Sequence, residues 1–193
     1  HHGEAVANPA GFGAVPSEIA LTSGGMDTVF EQDGVRVSVF PVNHEPVSPA
    51  FGYRVDYKGR SVTISGDTVK SRSVIAAAKD TDLLVHEALN RDMVKVMSEA
   101  AGANGNAELS KVFADILDYH ASPVEAAESA EDAGAQALVL THIVPPLPSK
   151  FLYPAFLDGA GSHFDGMLRI GEDGLLVSLP VESEAIHYKM VLN

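Results

Sequence analysis

Ser61-Val62-Thr63-Ile64-Ser65-Gly66-Asp67-Thr68 is a β-branched run that ends at a glycine, with a carboxylate directly after it. The run predicts a strand, and Gly66 permits the tight turn that brings Asp67 across the strand's end. The same arrangement recurs on either side. Val35–Val42 is strand-like and leads to His44, Leu83-Leu84-Val85 leads to His86, and 137–141 leads to His142. A single polar residue at a strand end is ordinary, because there the chain meets water. Three histidines and an aspartate at four such ends form a set, and in open α/β architectures that edge is where ligands and reactive groups gather.

The remaining segments fit an alternating chain. Residues 1–25 are rich in Gly, Ala, Pro and Ser and read as a loosely ordered lead-in to one domain over 26–193. Asp33-Gly34 and Lys58-Gly59 are hairpin signals between β-branched runs. Short helices are expected over 71–79, 91–101 and 108–119. Ser122-Pro123-Val124-Glu125 is a capping box with proline at the first helical position, opening a helix that runs to Gly134. A closing strand is expected over 175–179. Hairpins followed by alternating helices and strands define an α/β layered class with a mixed sheet.

Composition narrows the chemistry. The chain has 193 residues, 46% hydrophobic and 20% charged, which is the balance of a folded globular domain. Its 26 acidic residues against 13 Lys and Arg give a net charge of −13, a field that opposes non-specific nucleic-acid binding. The absence of cysteine removes thiolate metal sites and thiol nucleophiles. Imidazole nitrogens with a carboxylate oxygen suit Zn²⁺, with Mn²⁺ or Fe as alternatives. No apolar run is long enough for a membrane span, and no signal-peptide pattern opens the sequence. The cytoplasm is the favoured compartment, with export left open.

The ordered motifs also carry a resemblance. Val42-Asn43-His44, Phe51-Gly52-Tyr53-Arg54-Val55, Ser65-Gly66-Asp67-Thr68, Leu84-Val85-His86-Glu87-Ala88, Tyr119-His120-Ala121-Ser122 and Leu140-Thr141-His142 resemble the later motifs of the metallo-β-lactamase fold, ribonuclease Z branch, with an arylsulfatase-like relative also in view. The resemblance implies an αββα sandwich. It implies that His44 binds one metal ion, that Asp67 bridges two, and that His142 binds the second. His86 would stand near the leaving group as proton donor or oxyanion partner. Glu87 lies beside it, and His120 matches a family histidine that could equally serve a helix entry. The implied reaction is attack by a hydroxide held between two zinc ions on an ester centre.

Two departures shape the expected function. The family's His-x-His-x-Asp-His is not in this sequence, so the chain reads as the C-terminal half of the sandwich and its first partner as the N-terminal half of the same protein. Only 23 residues separate His44 from Asp67, which leaves no room for a tRNA-gripping arm, and Ile143-Val144-Pro145-Pro146 follows His142 where ribonuclease Z carries Ser and Arg-Tyr. With the negative charge, these features favour a small-molecule phosphodiester or sulfate ester over tRNA. A non-catalytic binding module that has lost its full metal site is the alternative reading. A half-sandwich also leaves one apolar sheet face to be covered by the other half or in a homo-oligomer, with Val37, Val39, Val62 and Ile64 as candidates for that face or for the opposite, helix-covered one. His163 and His187 read as solvated, and Arg54 and Arg60 as outward strand residues or contacts for an anion.

Overall fold

The computed structural model describes residues 18–22 and 25–192. Most of the expected lead-in, including His1 and His2, lies outside the described residues. Seven strands form one sheet in sequence order: β1 (Asp27–Gln32), β2 (Val35–Val42), β3 (Ala50–Tyr57), β4 (Arg60–Ile64), β5 (Leu83–Leu89), β6 (Ala137–Val144) and β7 (Met167–Ile170). β1 to β4 are antiparallel neighbours, and β4 to β7 are parallel. The antiparallel half follows from its turns. Asp33 and Lys58 take φ of 53° and 47°, each followed by a left-handed glycine, the backbone that matches hairpin twist. The parallel half needs crossovers, which α1 (Arg72–Ala77), α2 (Arg91–Ala103), α3 (Ala107–Asp115), α4 (Pro123–Ala133) and the short α5 (Tyr153–Phe156) supply. β8 (Leu175–Ser178) and β9 (His187–Met190) form a separate hairpin. Among the described residues no helix is long and apolar enough to cross a membrane.

The main core lies on the helical side of the sheet. Phe40, Leu84, Ala88, Leu138 and Leu140 pack there against Val74 and Ala77 of α1, Phe156 of α5, and Ala126, Ala127, Ala130 and Ala133 of α4. Four buried alanines on α4 let that helix approach the strands closely. The opposite face is covered in part. The β8–β9 hairpin packs Leu175, Val177 and Tyr188 on Leu83, Ala137 and Val139. Further along, register places Val37, Val39, Tyr53, Val55, Val62 and Ile64 on that same face. There Val39 is buried, whereas Tyr53 is 42% and Ile64 39% exposed. The face expected to be wholly bare is thus covered over β5 and β6 and open over β3 and the end of β4.

Several sequence expectations change. β5 and β6 run on to Leu89 and Val144, so His86 and His142 lie inside strands and not after them. The helix expected over 108–119 stops at Asp115 and continues as a 3-10 turn, Ile116–Asp118. β7 and β9 carried no clear signal. Arg54 and Arg60 are engaged within the fold. Arg54 donates to the carbonyls of Ala77 and Lys79 at the end of α1, and buried Arg60 pairs with Asp82 at 3.1 Å and donates to the carbonyls of Ser183 and Ala185.

Candidate metal centre

The C-terminal ends of the parallel strands share one edge of the sheet, and the site is built there. Gly66 sits at φ 63°, and a Cβ at that position would collide with the carbonyl oxygen of Phe51. Only glycine fits this close turn, which carries the chain from β4 to Asp67. His142 reaches the same edge by another device. β5 and β6 pair Glu87 with Thr141 and then Ala88 with Ile143, so His142 is the extra residue of a β-bulge, at φ 44°. A bulge re-aims one side chain without breaking the strand, and here His142 Nε2 comes within 3.8 Å of Asp67 Oδ2.

His44 and His120 complete the cluster. The His44 and His120 rings lie 5.0 Å apart, and the His120 ring stacks at 5.5 Å on His142. His44 Nδ1 lies 2.9 Å from the Tyr119 carbonyl, so it donates there and its Nε2 keeps a free lone pair. Histidines that bind metals commonly anchor one ring nitrogen in this way. His120 is anchored by a carboxylate, with Nδ1 2.9 Å from Glu87 Oε1. The same oxygen accepts from the backbone amides of Thr68 at 2.9 Å and Ala121 at 3.3 Å. One buried carboxylate therefore fixes His120, the start of the α4 approach and the Asp67–Thr68 turn together.

Glu87, His120 and His142 each offer a ligand atom within 4.8 Å of the others. This group overlaps only partly with the expected set of His44, Asp67 and His142. The chemistry of the donors separates their roles. Glu87 is 1% exposed and its Oε1 already accepts three N–H groups, as an orienting carboxylate does, although its Oε2 is buried without a partner. His44, Asp67 and His142 are all at least partly exposed at this edge, and imidazole nitrogens with a carboxylate oxygen are donors that fit Zn²⁺.

His86 departs from its expected place. Lodged within β5 on the side of Leu84 and Ala88, it has no exposed surface, and its Nδ1 lies 2.7 Å from the Glu87 carbonyl. Burial pushes its pKa below the ordinary 6.5. It is a neutral core histidine, and the group brought to the edge is His120. The sequence held one signal for this exchange: His120 immediately precedes the capping segment, which fixes where the chain enters α4. His163 stands apart from the cluster beside Glu128, and His187 is exposed on β9.

A helix-backed mixed sheet with a His/Asp cluster at its C-terminal edge matches one sheet-and-helix half of the αββα metallo-β-lactamase fold. The chain belongs to the beta-lactamase superfamily, whose domain model matches residues 7–143. It is 35% identical over 147 residues to a protein named ribonuclease Z from Mycobacterium avium (strain 104), covering 75% of this chain and 48% of that one. Ribonuclease Z of Mycolicibacterium gilvum is 33% identical over 177 residues, covering 90% of this chain and 54% of the relative. The chain thus spans about half the length of the curated relatives it matches. Among solved structures, the metallo-beta-lactamase fold protein YhfI from Bacillus subtilis superposes with a TM-score of 0.54 at 20% identity, over 80% of this chain and 52% of that one. Human tRNase Z, short form, gives 0.51 at 23% identity over 81% and 48%. These two likenesses define the fold.

Proposed function

We propose that the chain supplies one side of the active site of a metal-dependent hydrolase that cleaves phosphodiesters. The observation that carries this reading is the convergence of His44, Asp67, His120 and His142 at one sheet edge, with Glu87 orienting His120. His44, Asp67 and His142 would hold the metal ions, and the N-terminal half of the same protein, seated on the open sheet face, would complete the donor set. When bound, the metal supplies a water of lowered pKa and a Lewis acid for the attacked oxygen. His120 holds a proton at Nε2 when charged and faces the shared edge, so it is placed to deliver that proton to the leaving oxygen. Glu87 fixes the ring's orientation through Nδ1, the part that a buried carboxylate plays behind a working histidine. His86 takes no part at the reacting atoms.

The negative charge of −13, the short His44–Asp67 separation and the prolines after His142 favour a small phosphodiester or sulfate ester. The relatives named ribonuclease Z bring RNA phosphodiesters into the same reaction class. The test is turnover of bis(p-nitrophenyl) phosphate, p-nitrophenyl sulfate and a precursor tRNA by the full-length protein, with metal content measured alongside. The phosphodiester is expected to turn over, to stop in chelator and to recover with zinc. His44→Ala and His142→Ala should lose metal and activity together. His120→Ala should keep its metal and lose about 10²- to 10⁴-fold in kcat, the range of a general acid. Full metal content in the His44, Asp67 and His142 variants would place the ligands elsewhere.

A further inference from the structure

Along the β7 edge of the sheet the charge of this acidic chain reverses. Lys150, Arg169 and Lys189 line a cleft of about 230 Å³ between β7 and β9, and Glu172 is the one carboxylate among its lining residues. Across the whole sequence acidic residues outnumber Lys and Arg by 26 to 13, so three cations against one carboxylate is a local inversion. Lys150 Nζ lies 2.6 Å from Glu172 Oε2, which leaves two cations in excess. Among the described residues Arg169 and Lys189 meet no carboxylate. The Arg169 guanidinium lies over the Tyr188 ring, 4.3 Å from its centroid, which holds the planar fork in place before any ligand arrives. The Tyr188 hydroxyl is shielded from water without a hydrogen-bond partner, and burial pushes its pKa above the ordinary phenol value, so it remains an O–H donor.

The cleft shares a wall with a hollow that His142 lines. Ile170, Glu172 and Leu175 line both this cleft and a larger hollow of about 600 Å³, and His142 lines that hollow. A ligand whose reacting group sits at His142 and which extends past Glu172 brings its next charged group among Arg169, Lys189 and Lys150.

We propose that the cleft between β7 and β9 is a phosphate subsite that takes a second phosphate of the substrate, beyond the one hydrolysed. This deepens the phosphodiesterase reading and rests on it. A guanidinium pre-set by an aromatic ring can bind two phosphate oxygens in parallel, and two ammonium groups add point charges. The substrate class is therefore a diester carrying at least one further phosphate, such as a phosphorylated dinucleotide.

The experiment compares a dinucleotide with and without a 5′-phosphate, by calorimetric titration of the full-length protein in chelator so that nothing is cleaved. The 5′-phosphate is expected to tighten binding about tenfold, the scale of one charge-assisted contact. In the Arg169→Gln, Lys189→Gln double variant that gain should vanish. The slope of log affinity against log salt should flatten by roughly 1.4, for two lost contacts on a single strand. Turnover of bis(p-nitrophenyl) phosphate, which has no second phosphate, should not change between the two proteins. Equal affinity for the two dinucleotides, or the same gain in the double variant, overturns the subsite. Failure of the zinc-loaded wild type to cleave bis(p-nitrophenyl) phosphate overturns the hydrolase reading instead, and the binding comparison still decides the subsite.

Discussion

Inside β5 the His86 imidazole has no exposed surface, donates from Nδ1 to the Glu87 carbonyl, and leaves Nε2 without a partner. Burial disfavours its charged form, so its pKa in the folded chain lies below 6.5, whereas the unfolded chain protonates it near that value. Between the two the unfolded state binds more protons. The stability that His86 contributes is complete above pH 6.5 and is lost as pH falls toward the folded value. Urea unfolding should show lower stability at pH 5.5 than at pH 7.5 from this one proton. His86→Gln should flatten that difference, and an unchanged slope in the variant would assign the proton to another group. The bulge that places His142 inside β6 carries no local signal in the chain, whereas the positions of His44 and Asp67 after strand ends were legible because strand, turn and side chain are adjacent. The exchange of His86 for His120 was not. It depends on β5 continuing through polar His86 and Glu87, and on a contact between residues 33 positions apart.

At the scale of the element, α4 shows local signals and tertiary need in agreement. Ser122 accepts from the Glu125 amide at 3.2 Å, Glu125 accepts from the Ser122 amide at 2.7 Å, and Gly134 closes the helix at φ 68°. Burial alone would raise the Glu125 pKa, but its bonds from the Ser122 backbone and from Arg91 outweigh that and hold it below the ordinary carboxylate value. Ser122→Ala should cost about 1 kcal/mol in urea or thermal unfolding. Because Ala121 and His120 immediately precede the cap and both bind Glu87, the same variant should also lower kcat while leaving the metal content intact. A stability loss with unchanged kcat would show that Glu87 alone positions His120. This helix was readable to within a residue at both ends because its punctuation is chemical. β7 was missed for a different reason: Met167-Leu168-Arg169-Ile170 is only four residues long with one β-branched residue, although Asp165-Gly166 and Gly171 punctuate both its ends. It is a strand because β6 offers it a parallel edge. β9, equally short and mostly exposed, is defined by its pairing with β8.

At the scale of the molecule, one sheet has two unequal faces. The helical side is sealed by large apolar side chains and α4 alanines, while the other side is covered by the hairpin over β5 and β6 and open at Tyr53 and Ile64. An open apolar strip on an otherwise acidic chain is a surface for self-association. The 193-residue chain alone is expected to sediment as an oligomer, and Tyr53→Lys with Ile64→Lys should shift it to a 20.3 kDa monomer with little change in stability. Equal sedimentation of the two would locate the contact away from this strip. The hairpin that covers the remainder of the face has only four residues in each strand, and a two-stranded ribbon of that length has marginal stability by itself. It stays on the sheet through its apolar side chains and through one buried guanidinium, Arg60, which reaches from β4 to the carbonyls of Ser183 and Ala185. The hairpin is therefore expected to be the weaker unit, the first to come away when the chain is destabilised. Its release leaves the metal-site edge formed, but it dismantles the β9 wall of the cationic cleft and strips the cover from Leu83 and Val139.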